Sequence, residues 1–262
     1  MIGAIIGDIA GSRFEGYNNK TYDFELFTNK CVFTDDTLMS LAIAKALMES
    51  KEDYSDLEEN SIKYMVELGL KYPLSRFGGN FFKWLKSEEH KPYGSYGNGA
   101  AMRVSACAYF AKSLEEAINY STIVTNVSHN HEESVKAANA ISACIYLARN
   151  KKSKEEIKEY VEKTYRKLDF TIDEIRDTYK FDVSCQGSVP QALEAFFESK
   201  DFEDAIRLAI SIGGDSDTIG AITGSIAAAY YEVPEHIKQQ ALSYLTDDLL
   251  KIYNDFESVI GE

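Results

Sequence analysis

Two short segments near opposite ends of the chain each place two carboxylates beside a threonine. Residues 32–39 read VFTDDTLM, and residues 212–222 read IGGDSDTIGAI. Each segment runs into an apolar stretch with helical periodicity, so each pair of carboxylates is expected at a helix start. Capping of the first free N–H groups would explain one aspartate per helix. Two pairs exceed that need, because adjacent carboxylates repel each other unless a proton or cation lies between them.

If the two helix starts face each other, their side chains form a cup of oxygen ligands. The carboxylates are those of Asp35, Asp36, Asp215 and Asp217, and the hydroxyls are those of Thr34 and Thr218. Carboxylate and hydroxyl oxygens suit Mg²⁺ or Mn²⁺, whereas Zn²⁺ favours His and Cys. We therefore predict a metal site, with helix capping alone as the alternative.

The segment ISIGGDSDT also imitates the strand-then-DxDxT start of phosphatases that use an aspartyl nucleophile. That motif normally opens an α/β fold near the start of a chain. Here it begins at Asp215 of 262 residues, without room for a doubly wound sheet after it. A phosphatase is therefore the weaker interpretation of these carboxylates.

The segment YGSYGNGAAMR, residues 93–103, is a glycine-rich turn that runs into a helix. Gly94, Gly97 and Gly99 allow the backbone to approach a ligand closely. Free N–H groups at the following helix start would suit a phosphate. The segment lacks the Lys and Ser/Thr of a P-loop, so an ordinary helix-entry loop stays an alternative.

Two further segments carry candidate polar groups. In VSHNHEES, residues 127–134, His129 and His131 are two residues apart, and they would lie on different faces of a helix. We do not expect them to bind one metal ion; His129 is either a hydrogen-bond donor to a ligand or a capping residue. In GDIAGSRFEG, residues 7–16, Glu15 lies in a glycine-flanked bend after Asp8 and is a candidate acid on a mobile loop.

Composition limits the class of protein. With 45% hydrophobic residues the chain can bury a sizeable core. Its net charge of −14 argues against nucleic-acid and anionic-membrane partners. The four cysteines are far apart in sequence, and no apolar run approaches the ~18 residues of a membrane span. We expect a single domain over residues 1–262, cytoplasmic and monomeric, with free thiols.

Helical periodicity dominates the chain, and strand-like alternation is scarce. The periodic stretches are 37–49, 57–70, 101–111, 114–125, 132–149, 153–167, 188–198, 202–212, 218–231 and 235–256. The pattern predicts an all-α fold of about ten helices. In 218–231, the small residues Gly220, Gly224 and Ala228 recur every four positions, which would let another helix approach closely.

Taken in order, the segments GDIAGSRFE, FTDDT, GSYGNGAAMR, SHNH and GGDSDTIGAI resemble the ADP-ribosylglycohydrolase family. This family includes the dinitrogen-reductase-activating glycohydrolase and the ADP-ribosyl-acceptor hydrolases. The resemblance runs from residue 3 to about 235. It implies an all-α orthogonal multi-helix bundle, with two Mg²⁺ or Mn²⁺ ions at the base of a cleft.

The resemblance also implies roles for individual residues. Six residues match metal-binding positions: Thr34, Asp35, Asp36, Asp215, Asp217 and Thr218. Five match the loop around the diphosphate and distal ribose: Ser95, Tyr96, Gly97, Asn98 and Gly99. Glu15 matches an acid on a mobile loop that covers the metals, and His129 matches a position that contacts the ligand in some members. Glu15, Asp35 and Asp36 stay open as acceptors of the proton from the attacking water.

The implied activity is hydrolysis of the glycosidic bond at C1″ of the distal ribose, which releases ADP-ribose from a modified serine or arginine side chain. The loop GSYGNG is similar to that of serine-specific members, whereas some arginine-specific relatives have an acid in this loop and Ser95 offers none. Two alternatives are a hydrolase of a small derivative such as O-acetyl-ADP-ribose and a non-catalytic ADP-ribose-binding protein. The presence of every metal ligand and of the loop acid favours an enzyme.

Overall fold

The computed structural model describes residues 1–261. These residues form fifteen helices and no β-sheet, with one isolated bridge between Gly97 and Ser184. The helices are α1 (Ile2–Ser12), α2 (Asp35–Met48), α3 (Leu57–Lys71), α4 (Gly79–Leu85), α5 (Gly99–Met102), α6 (Cys107–Phe110), α7 (Leu114–Asn126), α8 (Glu132–Arg149), α9 (Lys154–Thr164), α10 (Ile172–Ile175), α11 (Cys185–Glu198), α12 (Phe202–Ser211), α13 (Ser216–Tyr230), α14 (Glu235–Leu242) and α15 (Asp247–Ile260). The predicted all-α class is confirmed.

Helices α1 and α13 touch through their backbones. A Cβ added at Gly7 would lie 1.9 Å from the carbonyl oxygen of Gly220, and one added at Gly3 would lie 1.9 Å from that of Gly224. In the reverse direction, a Cβ on Gly224 would lie 2.1 Å from the carbonyl oxygen of Gly3. Only glycine fits these positions, because any side chain would overlap backbone atoms that cannot rotate away. The small residues of α13 were predicted to let another helix approach closely, and α1 is that helix.

Helix α13 lies at the centre of the molecule and is buried from Ser216 to Ala227. Helices α8, α11 and α12 pack around it, and α1 covers another side. A helix surrounded in this way must be apolar or small on every face, as the sequence SDTIGAITGSIAAAY is after its first turn. Helix α9 lies at the periphery and buries only Ile157 and Val161, as its charged sequence predicts.

Eight of the ten predicted helical stretches each correspond to one helix, and two are divided. The stretch 101–111 divides into α5 and α6, and 235–256 divides into α14 and α15. Thr246 is extended, with ψ at 160°, and it begins a new helix rather than continuing the old one. Periodicity did not predict α1, α4 or α10, because α1 is apolar on all sides and the other two span two turns or fewer.

The buried apolar side chains form one contiguous cluster that runs from Met1 to Phe256. All four cysteines are buried free thiols. Within the described residues, no helix has both the length and the apolar content needed to cross a membrane.

The glycine contact yields a stability prediction. Gly7→Ala should lower the free energy of unfolding by about 3 kcal/mol, the upper end of overpacking effects, because the new methyl group would meet backbone atoms of α13. Gly79→Ala is the matched control, since no atom lies within 4 Å of its added Cβ and a change below about 1 kcal/mol is expected. Urea denaturation measures both variants. Equal effects would contradict the backbone contact.

Candidate metal centre and ligand cleft

Asp8 fixes the start of α2 onto α1. Its carboxylate is fully buried and accepts three hydrogen bonds. The Thr34 N–H donates at 2.9 Å, the Thr34 hydroxyl at 2.7 Å and the Thr37 N–H at 3.0 Å. A carboxylate from one helix thus caps the N-terminus of another, where the helix dipole favours negative charge.

The first turn of α2 carries Asp35 and Asp36 toward the start of α13. The Thr218 hydroxyl donates to Asp36 Oδ2 at 3.2 Å. The other oxygen, Asp36 Oδ1, is buried and has no hydrogen-bond partner among residues 1–261. A buried carboxylate oxygen without a donor is costly, so this atom is a candidate ligand for a cation.

A turn of two glycines sets the start of α13. Gly213 and Gly214 have φ values of +70° and +73°, which favour glycine. The next residue, Asp215, accepts a 2.6 Å hydrogen bond at Oδ2 from the side-chain amide of Asn98. Asn98 belongs to the predicted glycine-rich loop, so this contact joins that loop to the carboxylates.

Glu15 approaches the same carboxylates from the segment after α1. Oxygen atoms of Glu15, Asp215 and Asp217 lie within 4.8 Å of one another, and so do oxygen atoms of Asp8, Asp36 and Asp217. Two groups of three acids therefore share Asp217. Arg76 binds Glu15 Oε2 at 2.8 Å and also donates to the carbonyl oxygen that ends α1, that of Ser12, at 2.6 Å.

The electrostatics of this cluster are unfavourable without a counter-ion. Burial raises the pKa of Asp36 and Asp217 well above the ordinary value, and neighbouring carboxylates raise both pKa values further. Burial raises the pKa of Asp215 from 3.8 to about 6, although the hydrogen bond from Asn98 lowers it. The donor set consists of oxygens alone, and Asp36 Oδ1 lacks a partner. This chemistry fits a hard divalent cation.

A cleft of about 410 Å³ opens above the carboxylates. Its floor contains Asp35, Asp36, Asp215, Asp217 and Thr218, with Glu15 and Arg76 at one side. Its wall contains Ser95, Gly97, Asn98, Gly99 and His129, with apolar contacts from Phe81, Tyr93, Met102, Phe181 and Val183. A polar floor, a glycine-rich wall and aromatic sides could hold a ligand that combines a sugar, a phosphate and a ring.

Most residues predicted for the site meet in this cleft, and two lie elsewhere. Thr34 is buried behind the floor, where its hydroxyl donates to Asp8. Tyr96 is 56% exposed, and its ring packs edge-on against His131 rather than lining the cleft. His131 caps α8 by accepting from the Glu133 N–H, so the two histidines do occupy different environments.

Sequence reasoning assigned no role to Asp8, Arg76 or Phe181. Asp8 carried a signal, since an acid beside Gly7 in an apolar helix start must be buried and paired. Arg76 and Phe181 lie in segments between helices with no recognisable motif, so only the three-dimensional structure places them at the cleft.

The raised pKa of Asp215 predicts how metal-free stability depends on pH. An acid whose folded pKa exceeds its unfolded pKa is penalised once it ionises in the folded state. In chelator, the free energy of unfolding should fall as pH rises from about 4 through about 6 and then stay lower, by about 3 kcal/mol for this group alone. Thermal unfolding at several pH values across this range measures the free energy of unfolding. A free energy of unfolding that does not change with pH would contradict a carboxylate cluster without a counter-ion.

A substitution distinguishes repulsion from capping. Asp217→Asn should raise metal-free stability at pH 8 by at least about 1 kcal/mol, because it removes one of several crowded charges. The same change should weaken the stabilisation that a divalent cation gives to the natural chain. Asp169→Asn, at an exposed position, is the control and should alter neither quantity. If Asp217→Asn destabilises the metal-free protein, capping alone explains the cluster.

Comparison with known proteins extends over almost the whole chain. The family model for ADP-ribosylglycohydrolases matches residues 1–261. An ADP-ribosylhydrolase ARH3 from Xenopus tropicalis is 23% identical over 93% of this chain and 90% of its own. The ADP-ribosylarginine hydrolase Tri1 of Pseudomonas putida is 28% identical over 80% of this chain and 63% of its own.

A solved structure described as an ADP-ribosylglycohydrolase-related protein complex has the same fold. It superposes with a TM-score of 0.72 at 20% sequence identity, over 96% of this chain and 94% of that one. At 20% identity this similarity shows a shared fold only. Membership of the family rests instead on the family model, which matches residues 1–261. The chain belongs to the ADP-ribosylglycohydrolase family.

Proposed function

We propose that this protein is a metal-dependent hydrolase that releases ADP-ribose from ADP-ribosylated side chains of proteins. The observation that carries the proposal is the pair of acid groups that share Asp217 at the floor of a cleft walled by the glycine-rich loop. The names of ARH3 and Tri1 as ADP-ribosyl hydrolases support the reaction class. The free, buried thiols fit a reducing compartment such as the cytoplasm.

The carboxylate floor would hold two Mg²⁺ or Mn²⁺ ions through Asp8, Asp36, Asp215 and Asp217, with Glu15 and Asp35 facing the cleft. When bound, such ions supply Lewis-acid binding of vicinal hydroxyls and orient the ribose. Cleavage at C1″ builds oxocarbenium-like positive charge on the sugar, which the surrounding carboxylates stabilise. The carboxylates of the floor are therefore more complementary to the positively charged transition state than to the ground state.

Differences in burial and hydrogen bonding support a choice among the candidate proton acceptors. Asp36 is 2% exposed, and its Oδ2 is already occupied by the Thr218 hydroxyl. Asp35 is only partly buried and lines the cleft, as Glu15 does. We assign proton transfer from the attacking water to Asp35 or Glu15, since a general base must reach the water.

The glycine-rich loop would accommodate the diphosphate. A Cβ at Gly99 would come within 3.3 Å of His129 Nε2, so glycine leaves the imidazole open to a ligand. The Gly97 N–H donates to the Ser95 hydroxyl oxygen at 3.1 Å, which holds the loop in place. The exposed Tyr96 lies outside the cleft, and we assign base or ribose contacts to Tyr93 and Phe181 instead.

Arg76 favours a neutral acceptor over a guanidinium. It lies beside Glu15 at the side of the cleft, where the bond to the acceptor would be cleaved. The ion pair with Arg76 occupies Glu15, a carboxylate that could otherwise bind the guanidinium of an arginine-linked substrate. We therefore propose serine-linked ADP-ribose as the preferred substrate. The Tri1 name refers to arginine, so the comparison of the two linkages is the sharpest test of this part.

The reaction is tested by release of free ADP-ribose from serine-modified and arginine-modified proteins in parallel. With Mg²⁺ or Mn²⁺ we expect release from the serine-linked substrate, at least about tenfold faster than from the arginine-linked one, and none in chelator. O-acetyl-ADP-ribose is assayed alongside both. Tight ADP-ribose binding without release from any of them would establish a binding protein instead.

The assignment of the floor is tested by Asp215→Asn. This change keeps the hydrogen-bonding shape but removes one charge, and turnover should fall about 1,000-fold or more with helical content unchanged. Asp169→Asn should retain full turnover, because its side chain is exposed and does not line the cleft. Normal turnover by Asp215→Asn would overturn the metal-site assignment.

A further inference from the structure

Arg103 is a buried cation at the wall of the cleft. Its side chain is 1% exposed, and no carboxylate of residues 1–261 lies within 4.0 Å of it. Its Nη2 donates to the carbonyl oxygen of Val124 at 3.1 Å and to the Ser128 hydroxyl oxygen at 2.9 Å. A buried charge is normally paired, so an arginine held only by neutral groups calls for a role of its own.

Ser128 connects this arginine to His129. Ser128 Oγ lies 2.8 Å from His129 Nδ1 and is fully buried. A guanidinium can only donate, so Ser128 Oγ is the acceptor in its bond with Arg103. Among the described residues, the Ser128 hydroxyl hydrogen has one acceptor within reach, His129 Nδ1. The hydroxyl therefore donates to Nδ1, and Nδ1 carries no proton.

The opposite nitrogen of His129 faces the cleft. Nε2 makes no hydrogen bond within residues 1–261 and lies at the Gly97–Gly99 loop, 3.3 Å from the position of a Cβ on Gly99. The rings of Tyr93 and Phe81 pack against the imidazole at centroid distances of 5.6 and 6.0 Å and limit its rotation. Burial and the charge of Arg103 lower the pKa of His129 well below its ordinary value, so the ring is neutral.

We propose that Arg103 and Ser128 are positioning residues that fix His129 as the Nε2–H tautomer. His129 then presents one uncharged N–H donor, at the glycine-rich loop, to an acceptor oxygen of the bound ligand. The identity of that ligand as ADP-ribose rests on the proposed function, whereas the tautomer does not. An uncharged donor in a fixed direction selects an acceptor atom and disfavours a group that can only donate.

Nitrogen-15 NMR of the imidazoles tests the tautomer directly. The chain has four histidines, and His129→Gln identifies the signals of His129. We expect the natural chain to show a protonated Nε2 and an unprotonated Nδ1 at pH 7, with or without ligand. Ser128→Ala should produce a mixture of tautomers, and Ser128→Thr, which keeps the hydroxyl, should restore the single form.

Ser121→Ala is the matched control for loss of a buried hydroxyl. Ser121 is fully buried, and its Oγ has no hydrogen-bond partner among the described residues. This variant should keep the NMR pattern and the ligand affinity of the natural chain. We call the hydrogen-bonded series Arg103–Ser128–His129 the relay. The control separates the effect of losing this relay from a general effect of removing a buried oxygen.

Ligand affinity supplies the second measurement. The dissociation constant for ADP-ribose, and KM in turnover, should rise about tenfold in Ser128→Ala, with a smaller change in kcat. A protonated Nδ1 in the natural chain, or an unchanged tautomer in Ser128→Ala, would overturn the relay. An altered tautomer with unchanged affinity would overturn the ligand contact. A natural chain with the expected tautomer that neither binds nor releases ADP-ribose would refute the proposed function and leave the relay intact.

Discussion

The contact between the backbones of α1 and α13 is the constraint on which the rest of the structure depends. Where Gly7 meets Gly220, the two helices are as close as their main chains allow. This closeness places Asp8 of α1 beside Asp217 of α13, with oxygen atoms within 4.8 Å. Asp8 in turn holds the start of α2. One face of α1 and the starts of α2 and α13 therefore converge, because Gly7 and Gly220 have no side chains to keep the helices apart.

The same convergence sets a conflict between stability and activity. Buried carboxylates that repel one another weaken a metal-free fold, yet hydrogen bonds from Thr34 and Thr37 hold Asp8 in place and one from Asn98 holds Asp215. A bound cation would convert the repulsion into attraction, which couples folding to ligand binding. At α2 the cap comes from Asp8 of another helix, so the acids in the first turn of α2 are not needed to cap it and are free to face a cation.

Local signals explain what the sequence predicted, and tertiary packing explains what it did not. The strings TDDT and GGDSDT combine cap residues, acids and apolar runs within a few positions, so both helix starts and their acids were identifiable. Helix α5 ends at Met102, and the side chain of Arg103 turns inward to carbonyls of α7, a contact that periodicity within 101–111 cannot reveal. Tyr96 lies outside the cleft and Arg76 lines it for the same reason, since the direction of a loop side chain depends on neighbours distant in sequence.

The glycine contact also has a consequence in time. Helix α1 ends at Ser12, whereas α13 does not begin until Ser216, so α1 is synthesised long before its partner. At common rates of translation the ribosome needs roughly 10 to 40 s to reach it. During that interval α1 is an apolar, glycine-rich segment without its partner, and glycine lowers its tendency to stay helical. Asp8 of α1 and Asp217 of α13 therefore cannot meet until α13 has been translated, so the carboxylate site forms late relative to its first helix.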